Sequence, residues 1–259
     1  MDLKLISKKK LMIIGGIAAV SIATFLFLWK RKRDPEKPPD VKLLDAKKLL
    51  KIYNEVWKRI NAKMIQLVKS HRKERRELLA NGADMSTYTE ACKQFEASCY
   101  ELIENAQNEY IESAGISKHT LDMSVKAALE AKDPTEAEIA FKHLSSNILP
   151  VYLKKIPPTN TISLQEAREM IKARAEFFKS QLSTVASFLP KDLSAKGVQH
   201  VLGCVANDYT WEKTKFEYED LAPLIAANMQ MMLSLIEKET DGNKNLSKFV
   251  IHGLHWPTA

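Results

Sequence analysis

Apolar positions recur along nearly the whole chain at the three-and-four spacing of helices, and the exception comes first. Residues 11–29 read Leu-Met-Ile-Ile-Gly-Gly-Ile-Ala-Ala-Val-Ser-Ile-Ala-Thr-Phe-Leu-Phe-Leu-Trp, with no charged side chain. At a rise of ~1.5 Å per residue this run covers roughly 28 Å as a helix, about one hydrocarbon core. Lys8, Lys9 and Lys10 precede it, Lys30, Arg31, Lys32 and Arg33 follow, and Trp29 stands where an interfacial aromatic belongs. The pattern predicts a transmembrane helix over 11–29 behind a short basic segment, 1–10. A cleaved signal peptide has a shorter apolar region of about 7–15 residues and a small-residue cleavage site. Here the run ends in Phe25-Leu26-Phe27-Leu28-Trp29 and four cations, so a retained anchor is the reading.

Residues 30–40 form a basic, proline-rich spacer. Pro35, Pro38 and Pro39 forbid continuous helix, because each fixes φ and removes a donor. From 41 to 80 the helical pattern returns. Ala46, Leu50, Tyr53, Trp57, Ile60, Met64, Leu67 and His71 alternate in steps of four and three, widened by Leu43, Leu44, Leu49, Val56 and Val68. Asn81-Gly82 stops this helix, and Thr87-x-x-Glu90 reads as the capping box of the next. Tyr88, Cys92, Phe95, Cys99, Leu102 and Ala106 repeat the same steps, so the two predict a long antiparallel hairpin. Lysines on the first helix and glutamates on the second are placed to set its orientation, each exposed pair contributing about 0–1 kcal/mol.

Gly115 ends the second helix and Ser117 caps a short one to about Ala131. Asp133-Pro134-Thr135-Glu136 starts another, with Asp133 as the expected cap and Ile139, Leu144 and Ile148 as its apolar face, ended or kinked at Pro150. The hairpin and these two helices make one region, 41–156. Pro157-Pro158 separates it from a helical bundle, 157–240. There Ser163-x-x-Glu166 opens a helix running to Phe188, Ser194 opens a shorter one, and a last pattern runs from Tyr209 to Glu239 with a break near Pro223. Its second half, with Met229, Met231 and Met232, is apolar enough for a core helix and also suits a flexible binding groove. Residues 241–259 read as an extended apolar tail without helical period. Its Phe249, Ile251, Leu254 and Trp256 are candidate partner-binding residues, and removing it is expected to leave the domain folded. The fold class is therefore all-α: an N-terminal transmembrane helix, a long helical hairpin and a helical bundle.

Charge sharpens this picture. Residues 1–40 carry nine basic and four acidic side chains, residues 41–80 twelve and four, and the remainder eighteen and twenty-four. The positive charge thus gathers beside the membrane, where each cation gains ~1 kcal/mol from anionic headgroups. The bilayer and its anionic lipids are the expected partners rather than nucleic acid. The membrane-interface residues are Lys8, Lys9, Lys10, Trp29, Lys30, Arg31, Lys32 and Arg33. The run His71-Arg72-Lys73-Glu74-Arg75-Arg76 reads either as a patch for a membrane or acidic partner, or as a solvated face completing the helix dipole.

Candidate chemistry is sparse. Cys92 and Cys99, seven residues apart on a helix, are ~10 Å apart and cannot bridge, and with Cys204 they read as small core fillers. His71-x-x-Glu74 and His252-x-x-His255 each supply two possible ligands, too few for a metal site. The sequence carries no glycine-rich phosphate loop, nucleophile elbow, Cys-x-x-Cys or Glu-x-x-His. No catalytic residue, metal, cofactor or small-molecule substrate is expected. The expectation is a non-catalytic, single-pass accessory subunit of a large membrane complex, of the respiratory-chain or ATP-synthase type. It would contact other subunits in a mitochondrial membrane, the inner favoured over the outer. The alternative is an anchored receptor, adaptor or tether whose helical domain binds a soluble protein, and endoplasmic reticulum or peroxisomal membranes suit the anchor as well.

Overall fold

The computed structural model describes residues 42–251, and every regular element among them is helical. The predicted transmembrane helix, its flanking cations and the end of the tail lie outside the described residues. No helix among the described residues is long and apolar enough to cross a membrane.

Two long helices lead: α1, Ala46–Ala80, and α2, Met85–Ser113. Helix α1 begins at Ala46 rather than at 41, because the Asp45 carboxylate accepts the Lys48 N–H at 2.8 Å and caps the first turn. It ends at Gly82, whose φ of 69° lets the Gly82 N–H reach the Leu79 carbonyl and the Ala83 N–H reach that of Leu78. Helix α2 starts earlier than the expected Thr87 box. Asp84 accepts the Thr87 N–H at 2.8 Å, so aspartate, three residues upstream, is the cap. Then come α3 (Lys118–Glu130), capped by Ser117; α4 (Glu136–Ser146); and α5 (Ile148–Leu153). Thr135, not Asp133, caps α4 and closes a reciprocal box with Glu138. Pro150 falls in the first turn of α5, where its missing N–H costs nothing, and the break comes at Asn147 instead.

Helix α6 (Leu164–Ser180) opens at the expected Ser163–Glu166 box but stops at Gln181, and α7 (Leu182–Ser187) resumes. Helix α8 (Ala195–Thr214) is capped by Ser194 and absorbs Tyr209, which the sequence pattern assigned to the next helix. Lys215, at φ 63°, ends it. A 3-10 turn (Tyr218–Leu221), α9 (Ala222–Ala227), α10 (Met229–Glu239) and α11 (Lys244–Ile251) follow. Helix α11 corrects the expectation of an extended tail from residue 241. Asn243 accepts the Leu246 N–H at 3.1 Å and restarts the helix after the Gly242 turn.

The chain divides into two compact units. Among the described residues, unit 1 comprises 42–64 and Lys93–Ile148, and unit 2 comprises Ile65–Cys92 and 149–251. In unit 1, Leu49, Tyr53, Val56 and Ile60 of α1, Phe95, Cys99 and Ile103 of α2, and Leu121 and Phe141 are buried. Tyr53 and Phe141 meet edge-on with centroids 5.6 Å apart. The Leu44 N–H donates to Ser124 at 2.8 Å, and Arg59 lies 5.2 Å over the Tyr110 ring. The buried stripe of α1 thus runs through Leu49 and Val56, with Leu50 and Trp57 only half-buried at its edge. On α4 the buried residue is Phe141, while Ile139 is exposed.

In unit 2, α6 is central and packs against α8, α10 and α11. Its Ala167, Met170, Ile171, Phe177 and Phe178 join Val201, Val205, Leu221, Ile225, Met232, Ile236 and Val250 in one core. Of the methionine cluster only Met232 is fully buried, whereas Met229 is exposed. The expected boundary at Pro157-Pro158 falls inside this unit. The Asp220 carboxylate accepts the backbone N–H groups of Thr159 and Asn160 at 2.7 and 2.8 Å and ties that loop to the 3-10 turn.

Candidate functional site

The last turns of the α1 heptad pattern carry a cationic run, and in unit 2 the fold turns part of that run inward. Arg72 and Arg75 occupy the same helical face as Val68 and are buried, at 8% and 4% exposure. Lys73 and Glu74, on the opposite face, are exposed. A buried guanidinium is tolerated only with close anionic partners. These come from the far end of the sequence: Asp208 on α8, Glu217 just before the 3-10 turn and Glu219 within it.

Arg75 binds Asp208 through two contacts, Nε to Oδ2 at 3.0 Å and Nη2 to Oδ1 at 3.3 Å. The Tyr88 hydroxyl donates to the same Asp208 Oδ2 at 2.6 Å, and Arg75 Nη1 lies 3.4 Å from His71 Nδ1. Arg76 donates from Nε to Asp208 Oδ1 at 3.2 Å and forks onto Glu217 through Nη1 and Nη2 at 2.9 and 2.8 Å. Arg72 reaches Glu217 at 3.2 Å and pairs directly with Glu219. Aromatic faces complete the shell, with Arg76 4.1 Å over Trp211 and Arg72 5.1 Å over Tyr218. Three guanidinium groups thus face three carboxylates.

Burial is the largest influence on His71, Glu219 and Tyr88. It pulls the His71 imidazole down, and the adjacent Arg75 charge adds to the effect. It raises the Glu219 carboxyl against the opposing pull of Arg72, and Glu219 Oε2 is a buried oxygen without a hydrogen-bond partner. The Tyr88 hydroxyl is held well above its ordinary range by burial and then by Asp208, so it stays a donor.

A second buried cation, Arg174 on α6, donates from Nε to the Val250 carbonyl at 3.0 Å and from Nη1 to Asn207. Burial pulls its guanidinium down to about 10. The contact places an arginine at the C-terminal end of α11, where the helix dipole favours positive charge. A third feature is a pair of thiols. Cys92 on α2 and Cys204 on α8 are both buried in the core, and His200 Nε2 lies 3.9 Å from the Cys204 sulfur.

The expected site residues fare unevenly. Lys8, Lys9, Lys10, Trp29, Lys30, Arg31, Lys32, Arg33, Leu254 and Trp256 lie outside the described residues, as does the His252–His255 pair. Phe249 lies on α11. Ile251, its last residue, packs against the core of unit 2. His71 Nε2 and Glu74 Oε2 are 4.0 Å apart, and no group of three metal-ligating side chains forms among the described residues. The run from His71 to Arg76 is divided: Lys73 and Glu74 stay on the solvated face, while its three arginines hold an internal network. On the outer face of α1 the ion pairs run along the helix, Lys58 with Glu55 at 2.7 Å and Lys73 with Glu77 at 3.8 Å. Asp208, Glu217 and Glu219 carry no local sequence signal for this role, since their partners lie some 130 to 150 residues earlier. No protein-family model, curated protein or solved structure matches this chain.

Proposed function

We propose that this protein is a non-catalytic, single-pass membrane-anchored accessory subunit of a large membrane complex, in a mitochondrial membrane and the inner one by preference. The observation that carries the reading is the uncharged run 11–29 with cations on both sides. The proline-rich spacer then separates the anchor from an all-α domain. The internal neutralisation of Arg72, Arg75 and Arg76 adds support, because the most cationic stretch of that domain is committed to its own architecture. Anionic lipid would meet the cations at 30–33, and other subunits would meet the anchor and the end of the tail. The test is native-gel sizing of the endogenous protein from fractionated organelles, with mass spectrometry of whatever migrates with it. Co-migration with a large assembly, together with resistance to alkaline carbonate, is the expected result. Release by carbonate overturns the anchor.

One observation favours a second reading, an anchored receptor, adaptor or tether. Unit 2 buries a continuous apolar core from its own residues, which suits a domain that works without neighbouring subunits. Under that reading a fragment from residue 42 onward folds alone and binds a soluble protein, and the endogenous chain runs near its own mass.

A further inference from the structure

Within unit 1 the two long helices are sorted by charge. Residues 42–64 carry seven basic and two acidic side chains, whereas residues 93–113 carry one and five. Successive helical residues turn by ~100°, so Lys47, Lys51 and Lys58 fall within roughly 40° of one another. That sector lies opposite the buried Leu49, Val56 and Ile60. All three lysines are exposed, and so is Lys48 beside them. The two acids of this stretch are taken locally: Asp45 caps the first turn of α1, and Glu55 pairs with Lys58 at 2.7 Å. Among the described residues Lys47, Lys48 and Lys51 form no ion pair. On α2, the face turned away from the buried Phe95, Cys99 and Ile103 exposes Glu101, Glu104 and Glu112 instead.

We propose, resting on the anchored reading, that this lysine stripe lies on an anionic lipid surface. The unit 1 stretch of α1 then runs along the bilayer at headgroup level, and the glutamates of α2 are held off it. From Lys47 to Lys58 the stripe is ~16 Å long on a straight helix, a line that a planar surface can meet throughout. The opposite side of α1 is already spent on the core of unit 1, so the contact is with headgroups rather than acyl chains. Leu43, exposed at 45% just before the helix, adds an apolar side chain at the same level. No exposed aromatic ring stands among the lysines to stack on a base, which sets lipid ahead of nucleic acid. Seventeen residues separate Trp29 from Lys47. Fully extended they reach at most roughly 60 Å, so an anchored chain keeps the stripe close to the headgroups at all times. Tethering makes docking intramolecular, and a contact too weak to recruit a free protein is then populated.

The test uses the full-length protein with nanodiscs of phosphatidylcholine alone, or of phosphatidylcholine with phosphatidylglycerol, neither of which carries a reactive amine. Exposed lysines are acylated with a water-soluble active ester, exposed carboxylates are amidated in a parallel sample, and both are read by mass spectrometry. Lys47, Lys51 and Lys58 should be acylated at least about threefold more slowly with the anionic discs. That protection should vanish in about 1 M salt, where the screening length is ~3 Å. Glu101, Glu104 and Glu112 should react equally with both discs. Equal acylation of the three lysines overturns the proposal, and so does protection that survives salt. Protection of the glutamates by the anionic discs overturns the orientation. An RNA oligonucleotide that protects the stripe when phosphatidylglycerol does not overturns lipid in favour of nucleic acid. The anchor is scored separately, by whether the chain elutes with the neutral discs. A chain that leaves neutral discs but shows the protected stripe on anionic ones loses its anchor and keeps its lipid-facing helix.

Discussion

Arg75 Nε and Asp208 Oδ2 lie 3.0 Å apart with both residues almost sealed from water, at 4% and 2% exposure. The pair joins the first long helix to α8 within unit 2, and Asp208 also accepts from Tyr88 and Arg76. Removing the carboxylate leaves a buried guanidinium and a buried hydroxyl short of an acceptor. Asp208→Ala should lower unfolding free energy by about 3–5 kcal/mol. Chemical denaturation of the fragment from residue 42 onward, followed by circular dichroism, measures it. A loss below about 1 kcal/mol, the range of exposed pairs, would mean that the network contributes no more than a surface bridge.

His71 gives the cluster a pH dependence. Its folded-state value is depressed, chiefly by burial and next by Arg75, so the unfolded chain takes up a proton more readily than the folded one. The stability it contributes is present above the ordinary histidine value of 6.5 and is lost as pH falls through the depressed folded value. His71→Asn should flatten that part of the profile. Denaturation midpoints of both proteins from pH 7.5 down to pH 5 provide the comparison, and parallel curves would remove His71 as the source.

Much of the local structure was legible because its signals are short-range. Ser117, Ser163 and Ser194 cap the helices expected of them, and Gly82 takes the positive φ its position demanded. Where the reading slipped, a stronger local competitor was present. Asp84 outcompetes Thr87, Thr135 outcompetes Asp133, and Asn243 restarts a helix where a tail was expected. The candidate sites were illegible for another reason. Charge runs look alike whether solvated or paired, and what buries Arg72 and Arg75 is three carboxylates brought in by the chain's return through α8 and the 3-10 turn.

The stripe on α1 distinguishes neighbours that periodicity treats alike. Ile60 is buried at 2% exposure, whereas Trp57 is half-buried at the stripe's edge. Ile60→Ala should cost about 2–5 kcal/mol from lost contacts and the cavity left behind. Trp57→Ala should cost less despite removing the larger side chain, because fewer of its contacts are dry. A greater loss at Trp57 in thermal melts would return the stripe to the register read from sequence.

The chain's end supplies the sharpest separation between folding and assembly. Removal of everything from Phe249 onward was expected to leave the domain intact, but Val250 is fully buried and its carbonyl accepts from Arg174. That truncation strips a core side chain and takes a backbone acceptor from a buried guanidinium, which costs more than an ordinary hydrogen bond. A stop after Ile251 keeps both contacts and removes only Leu254, Trp256 and their neighbours. The longer truncation should lower the melting temperature by several degrees, and the shorter one should melt like the full chain. If 254 and 256 hold a partner subunit, the shorter truncation should nevertheless lose its co-migration with the large assembly on native gels. Full co-migration of that stable variant would remove the tail from the proposed interface without disturbing the fold.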